Sequence, residues 1–89
     1  MGNGGNTILG YSSGSEITIG LNNTLVCKVS GTALTTGNGN VMIGENAGRS
    51  TEARSNNVIV GQGAGPAFLS AGLSTGSNNV VIGYVAGNF

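Results

Sequence analysis

Several residue types that most enzymes need are missing from this sequence. It has no histidine and no tryptophan, and its three acidic residues are all glutamate, so aspartate is missing too. Without histidine, a Ser-His-Asp triad, a Cys-His dyad and a histidine metal site are excluded. A single cysteine among 89 residues also excludes an intrachain disulfide and a cluster of thiolate ligands. We therefore expect no metal, no cofactor and no enzymatic activity.

Charge is equally scarce. Three basic and three acidic residues balance to a net charge of +0, so no basic patch could neutralise several phosphates and we expect no nucleic-acid binding. A glycosidase-like carboxylate pair is formally open only if Glu16, Glu45 or Glu52 meet across subunits. No apolar stretch approaches the length of a membrane span, so membrane insertion is not expected. The opening Met-Gly-Asn-Gly-Gly-Asn has neither region of a secretory signal, so we expect no signal-directed export.

Aromatic residues are few and glycine is abundant. Four residues are aromatic, whereas 18 of the 89 are glycine. Aromatic side chains contribute the most core area per residue, and each ordered glycine loses the most backbone entropy. A compact globule built from one copy of this chain would therefore be marginally stable. The apolar residues nevertheless cluster in short β-branched runs, which disordered segments lack.

An internal repeat organises the chain. Five segments each begin with an asparagine, continue with a mostly aliphatic run and contain two glycines four residues apart, except that Cys27 replaces the first glycine in the second segment. The lead asparagines are Asn6, Asn23, Asn40, Asn57 and Asn79. The first four are 17 residues apart, and an insertion loop at 66–78 lengthens the last interval by five. We therefore interpret residues 1–89 as one repeat domain, and Cys27 as a small buried filler.

Each repeat has the chemistry of one coil of a β-solenoid or β-roll. The aliphatic run predicts a short strand, and the glycines allow bends with positive φ. A weaker second strand is predicted at one shared repeat position, which is occupied by Ile17, Leu34, Thr51 and Phe68. Equivalent strands of successive coils would pair at about 4.8 Å. The predicted fold is thus all-β, with about five coils of 17 residues, and the lead asparagines are predicted to form a hydrogen-bonded ladder.

Two neighbouring positions of the predicted strands are apolar in every repeat. The first row contains Ile8, Leu25, Met42, Ile59 and Val81. The second row contains Leu9, Val26, Ile43, Val60 and Ile82. Adjacent strand residues point to opposite faces, so one row would be buried and the other would be an apolar stripe in water, which monomers avoid. We expect a homo-oligomer, with a trimer favoured, and other proteins docked at the ends of the coil stack.

The residue after the first glycine of each repeat varies most and is the candidate for ligand contact. This row contains Tyr11, Lys28, Glu45, Gln62 and Tyr84. Tyrosine beside hydrogen-bonding groups is a platform suited to a host-cell glycan, although an unconstrained exposed turn is the simpler interpretation. An ice-binding solenoid is a third alternative and needs a regular threonine array. The second-strand position interrupts that array, because it contains Thr18, Thr35, Glu52 and Leu69.

The pattern Asn-(Val/Thr)-x-(Ile/Val/Leu)-Gly-x-x-(Ala/Ser)-Gly resembles repeats of bacteriophage tail-fibre proteins and is similar to the head repeats of trimeric autotransporter adhesins. The resemblance extends from Asn6 to Gly87. It implies trimeric β-rolls or β-helices that serve as fibre shafts and receptor-binding heads. No signal peptide, membrane anchor or chaperone-like peptidase domain is recognisable. We therefore expect a short virion component or a segment of a longer fibre, with a carbohydrate-binding adhesin head on a phage or bacterial surface as the alternative.

Overall fold

The chain is all-β in the part that the structure describes. The computed structural model describes residues 4–32, 34–48, 55–64 and 78–86. These residues contain no helix and five strands of three residues each, and each strand occupies the aliphatic run after a lead asparagine. The strands are β1 (Thr7–Leu9), β2 (Thr24–Val26), β3 (Val41–Ile43), β4 (Val58–Val60) and β5 (Val80–Ile82).

The five strands form one parallel sheet in the order β1-β2-β3-β4-β5. The register pairs residues that are 17 apart from β1 to β4, as in Ile8 with Leu25. Between β4 and β5 the paired residues are 22 apart, as in Ile59 with Val81. The insertion therefore lengthens the connection without shifting the register. Sequential parallel strands in constant register are compatible with the predicted β-solenoid. Of the predicted insertion loop, only Asn78 lies among the described residues.

The core lies on one face of this sheet. The middle residue of each strand points inward, and Leu25, Met42 and Ile59 are fully buried. Leu34 packs against them from the far side of the repeat, and small residues such as Ala47 fill the corner. The first and third residues of each strand point outward, because side chains alternate along a strand. The prediction that the two apolar rows face opposite directions is confirmed.

Left-handed backbone at fixed repeat positions makes the bends. The glycine after the strand has φ of 135° at Gly10 and 129° at Gly44, as the sequence predicts. The residue before each lead asparagine is also left-handed, with φ of 80° at Gly5 and 58° at Asn22. Glycine and asparagine are the residue types that adopt this conformation most readily. The asparagine or glycine that precedes each lead asparagine thus marks a bend.

The predicted second strand is wrong for the described residues. Ile17 and Leu34 lie in irregular backbone next to bends rather than in a strand. The amides of Thr18 and Gly20 both donate to the carbonyl of Thr35, at 3.1 Å each. Two donors that converge on one oxygen make a point contact instead of the alternating ladder that a parallel strand requires. Thr51 and Phe68 lie outside the described residues.

The prediction that Cys27 is a buried filler is also wrong. The Cys27 thiol is free and the residue is exposed, with φ of 95°. A side chain at this repeat position points along the stack toward the neighbouring backbone, not into the core. A Cβ added to Gly10 would lie 2.6 Å from the Cys27 carbonyl oxygen. Small size is therefore required by the close approach of successive bends.

Candidate functional site

The candidate contact row follows the bends at one edge of the sheet. Tyr11 and Tyr84 are 76% and 78% exposed, and Lys28 and Gln62 are also exposed, whereas Glu45 is half-buried. The carbonyl of each of the first four members accepts a hydrogen bond from the next repeat, as in Val29 N to Tyr11 O at 2.8 Å. These bonds stack the row in the same order as the strands.

The row does not bring its two tyrosines together within one chain. They belong to the first and the fifth repeat, and four steps of about 4.8 Å separate them by roughly 19 Å. A single sugar ring cannot contact both. Between them, the Gln62 amide donates to the Glu45 carboxylate at 3.4 Å. Glu16 is exposed on another turn, and Glu52 lies outside the described residues.

An apolar surface covers the outward side of the sheet, here called the outer face. It comprises the first and third residues of every strand: Thr7, Leu9, Thr24, Val26, Val41, Ile43, Val58, Val60, Val80 and Ile82. Leu9, Val80 and Ile82 are 67%, 70% and 63% exposed. None of the ten carries a charge. The outer face is therefore a two-row strip of aliphatic and threonine side chains in water.

The lead asparagines form a hydrogen-bonded ladder through the sheet edge. In each step one Oδ1 accepts both the backbone N–H and the side-chain Nδ2–H of the next asparagine. Asn23 donates to Asn6 at 2.8 and 3.1 Å, and Asn40 donates to Asn23 at 2.9 and 3.0 Å. The ladder continues to Asn79 with distances between 3.0 and 3.3 Å.

The ladder has a structural role, because its inner members cannot reach a ligand. Asn23, Asn40 and Asn57 have no exposed surface. The Nδ2 of Asn23 also donates to Gly37 O at 2.9 Å, so one side chain contacts both neighbouring asparagines and the backbone across its own repeat. Every buried side-chain polar atom among the described residues has a hydrogen-bond partner.

Sequence reasoning missed one exposed apolar pair. Ile19 and Leu21, on the turn that precedes Asn23, are 71% and 44% exposed. Leu21 N donates to the Asn38 side chain at 2.7 Å, which fixes this turn against the next repeat. The pair alternates around Gly20 as a strand would. A count of alternating aliphatic residues would have identified it.

The described residues offer no other chemical site. They contain no group of three or more histidine, cysteine or acidic side chains that could hold a metal ion. Nor does this part of the chain contain a helix with the length and hydropathy needed to cross a membrane.

The chain matches no protein-family model, no curated protein and no solved structure.

Proposed function

We propose that this chain is a β-solenoid with a structural function, acting as a homotrimeric shaft or receptor-contact module of a viral fibre or other virion appendage. The exposed apolar outer face carries the proposal. A soluble chain with this strip in water would aggregate or associate, since monomers rarely expose a contiguous apolar patch of this kind. Association would bury the strip and supply the core area that a glycine-rich chain of 89 residues lacks.

The partner favoured here is another copy of the same chain. The outer face runs the full height of the five strands, about 24 Å at the spacing of paired strands. It bears no charge, so three identical strips could face a common axis parallel to the stack without repulsion. Each Leu or Ile buried there contributes about 1.5–3 kcal/mol. The resemblance to trimeric fibre and adhesin repeats favours three copies over two.

The test is the mass of the purified protein in solution with and without a charge at the centre of the outer face. Ile43 is 36% exposed and lies on the middle strand, so Ile43→Lys would place three ammonium groups around the axis. We expect light scattering to give wild-type masses in multiples of three times 8.7 kDa, and variant masses that are no longer confined to multiples of three chains. Circular dichroism of both proteins would show whether the fold is retained.

A matched control separates this effect from added charge in general. Thr36 is exposed and lies away from the sheet, so Thr36→Lys should leave the wild-type mass unchanged. A wild-type protein that stays folded and monomeric at micromolar concentration would rule out the proposed assembly. Negative-stain images of a purified virion that carries the chain would test its place in the particle.

The exposed tyrosines favour a second function, a carbohydrate-binding adhesin head. Tyr11 and Tyr84 project from the candidate contact row with most of their surface in water. A glycan array that compares the wild type with Tyr11→Ala/Tyr84→Ala would test this row. Glycan binding by the wild type that the double variant loses supports the adhesin. Equal signals from both proteins remove the tyrosines from consideration.

A further inference from the structure

We propose that copies of this chain stack end to end, with β5 of one copy pairing with β1 of the next in the register that joins repeats within the chain. The series of repeats would then continue from one copy into the next as a filament. This inference builds on the proposed structural function, but it depends on the two ends of the sheet and not on the outer face. The occupant of each end is a second copy.

The hydrogen bonds between repeats follow one pattern at every step. The bend residue after a strand donates its N–H to the last strand residue of the preceding repeat, as in Gly83 N to Val60 O at 2.9 Å. Two residues later, a second N–H donates to the contact-row carbonyl of the preceding repeat, as in Val85 N to Gln62 O at 2.9 Å. The same two bonds occur at all four steps, so the pattern is independent of side chains.

At the two ends, the donors and acceptors of this pattern are left over in complementary sets. Gly10 N and Ser12 N at the first repeat have no hydrogen-bond partner among the described residues. At the fifth repeat, the carbonyls of Ile82 and Tyr84 have none either. Backbone groups alternate in direction along a parallel strand, so the Ile82 carbonyl points away from β4. Stacking would pair Gly10 N with Ile82 O and Ser12 N with Tyr84 O.

The asparagine ladder also has an open acceptor at its last member. Each lead asparagine from Asn6 to Asn57 accepts two hydrogen bonds at its Oδ1 from the asparagine of the next repeat. The Oδ1 of Asn79 accepts none from the residues that the structure describes. In the stacked register this oxygen lies on the side of the sheet that the next copy would cover. The ladder therefore leaves an acceptor open at its last rung.

The core is also incompletely covered at both ends of the sheet, and the side chain exposed at each end is aliphatic. Leu25, Met42 and Ile59 are fully buried, whereas Ile8 at the first repeat is only half-buried. Val81 at the fifth repeat keeps 9% of its surface in water. A Cβ added to Gly83 would meet only Ala86, at 3.5 Å, whereas at Gly61 the next repeat blocks the same position. Stacking would place Val81 over Ile8, and the glycine bend at Gly83 over the glycine bend at Gly10.

The contact row supplies the sequence signature of this junction. Its inner members are charged or polar, but both terminal members, Tyr11 and Tyr84, are tyrosine. Within one chain they are roughly 19 Å apart, which is four strand spacings. Across a stacked junction they become neighbours at about 4.8 Å, a separation at which two aromatic rings on adjacent strands stack. The row thus carries an aromatic pair only in the assembled filament.

A charge exchange at these two exposed positions tests the junction. In Tyr11→Lys/Tyr84→Lys, two ammonium groups would meet at every junction, whereas Tyr11→Lys/Tyr84→Glu would place opposite charges there. Inside one chain the same charges lie beyond the screening length of about 8 Å, so they barely interact. Sedimentation velocity over a concentration series, with negative-stain images, would give filament length and width.

We expect wild-type lengths in multiples of about 24 Å that increase with concentration. The lysine pair should raise the concentration at half-assembly by about tenfold, and the lysine–glutamate pair should restore it to within about threefold of the wild type. Equal lengths for the two variants, or rods of a single length at every concentration, would overturn the proposal. Width separates it from the trimer: thin filaments of single chains would support stacking alone, and short rods three chains wide would support the trimer alone.

Discussion

At the residue scale, the lead asparagines show why a buried polar side chain can hold a repeat in register. A buried amide is costly unless its donors and acceptors are paired. Here one Oδ1 accepts two hydrogen bonds from the next repeat, and the Nδ2 reaches a backbone carbonyl such as Gly37 O. A shift of one residue in the pairing would break every rung at once. The ladder therefore specifies the register of the repeats, at the 22-residue step to Asn79 as at the 17-residue steps.

Removal of one rung should be strongly destabilising. Asn40→Ala deletes the acceptor of two hydrogen bonds from Asn57, at 3.0 and 3.3 Å, in a site with no exposed surface. Each buried group left unsatisfied costs about 1–3 kcal/mol, so we expect a loss of roughly 2–4 kcal/mol in the free energy of unfolding. Urea denaturation at one fixed protein concentration measures it. Thr36→Ala, at an exposed bend, should change stability by less than about 0.5 kcal/mol.

Cys27 occupies a bend position at which the other four repeats have glycine. Its φ of 95° lies in the region that side chains rarely adopt, and the glycines of the row have φ between 129° and 135°. Cys27→Gly should relieve this strain and raise the free energy of unfolding by about 1 kcal/mol, despite the greater entropy of the unfolded chain. The reverse change, Gly44→Cys, should lower it, because a Cβ there would lie 2.7 Å from the Gly61 backbone. A Cys27→Gly variant that melts at a lower temperature than the wild type would contradict this account.

At the element scale, the five strands follow directly from the sequence, but the rest of each circuit does not. A run of three aliphatic or threonine residues after the lead asparagine predicts each strand, its register and its inward row. The far side of the repeat has aliphatic residues too, such as Ile17 and Leu34, yet it forms bends. There two amides converge on the Thr35 carbonyl, and composition alone does not reveal that convergence. The contact row was predicted from its variability, but the proposed pairing of its two tyrosines between copies follows only when the two ends of the sheet are compared.

Substitution of two turn glycines separates the energetic cost of left-handed backbone from the cost of overpacking the core. Gly31 has φ of 57°, and a Cβ there would lie 2.9 Å from Leu25 Cδ2 and 3.1 Å from Met42 Sδ. Gly63 has φ of 67° and nothing within 4 Å of an added Cβ. Gly63→Ala should therefore cost only the left-handed strain, about 1–2 kcal/mol. Gly31→Ala should cost a further 1–3 kcal/mol or so from overpacking of the core, measurable as a difference between the two urea transitions. Equal losses would show that the core yields to the extra methyl group.

At the scale of the whole molecule, stability and assembly should be inseparable. The chain places one apolar row inside and leaves the other, including Leu9 and Ile82, in water. A fold that buries its second row only on association is stabilised by mass action, so its melting temperature must rise with protein concentration. A monomer with a self-sufficient core would melt at the same temperature at any dilution. The concentration dependence of the melting temperature therefore distinguishes a fold completed by association from a self-sufficient monomer more simply than a structure of the complex would.

We expect the melting temperature of the wild type to rise by several degrees over a hundredfold increase in protein concentration. When the partner concentration is about 100 times the dissociation constant, association stabilises the folded form by about 2.7 kcal/mol. Ile43→Lys, which places a charge at the centre of the outer face, should melt lower and show a weaker dependence. The lysine pair at positions 11 and 84 leaves the outer face intact, so it should retain the part of the dependence that comes from side-by-side association. A wild-type melting temperature that is constant across this range would mean that the outer face is stable in water, and both modes of assembly would then be wrong.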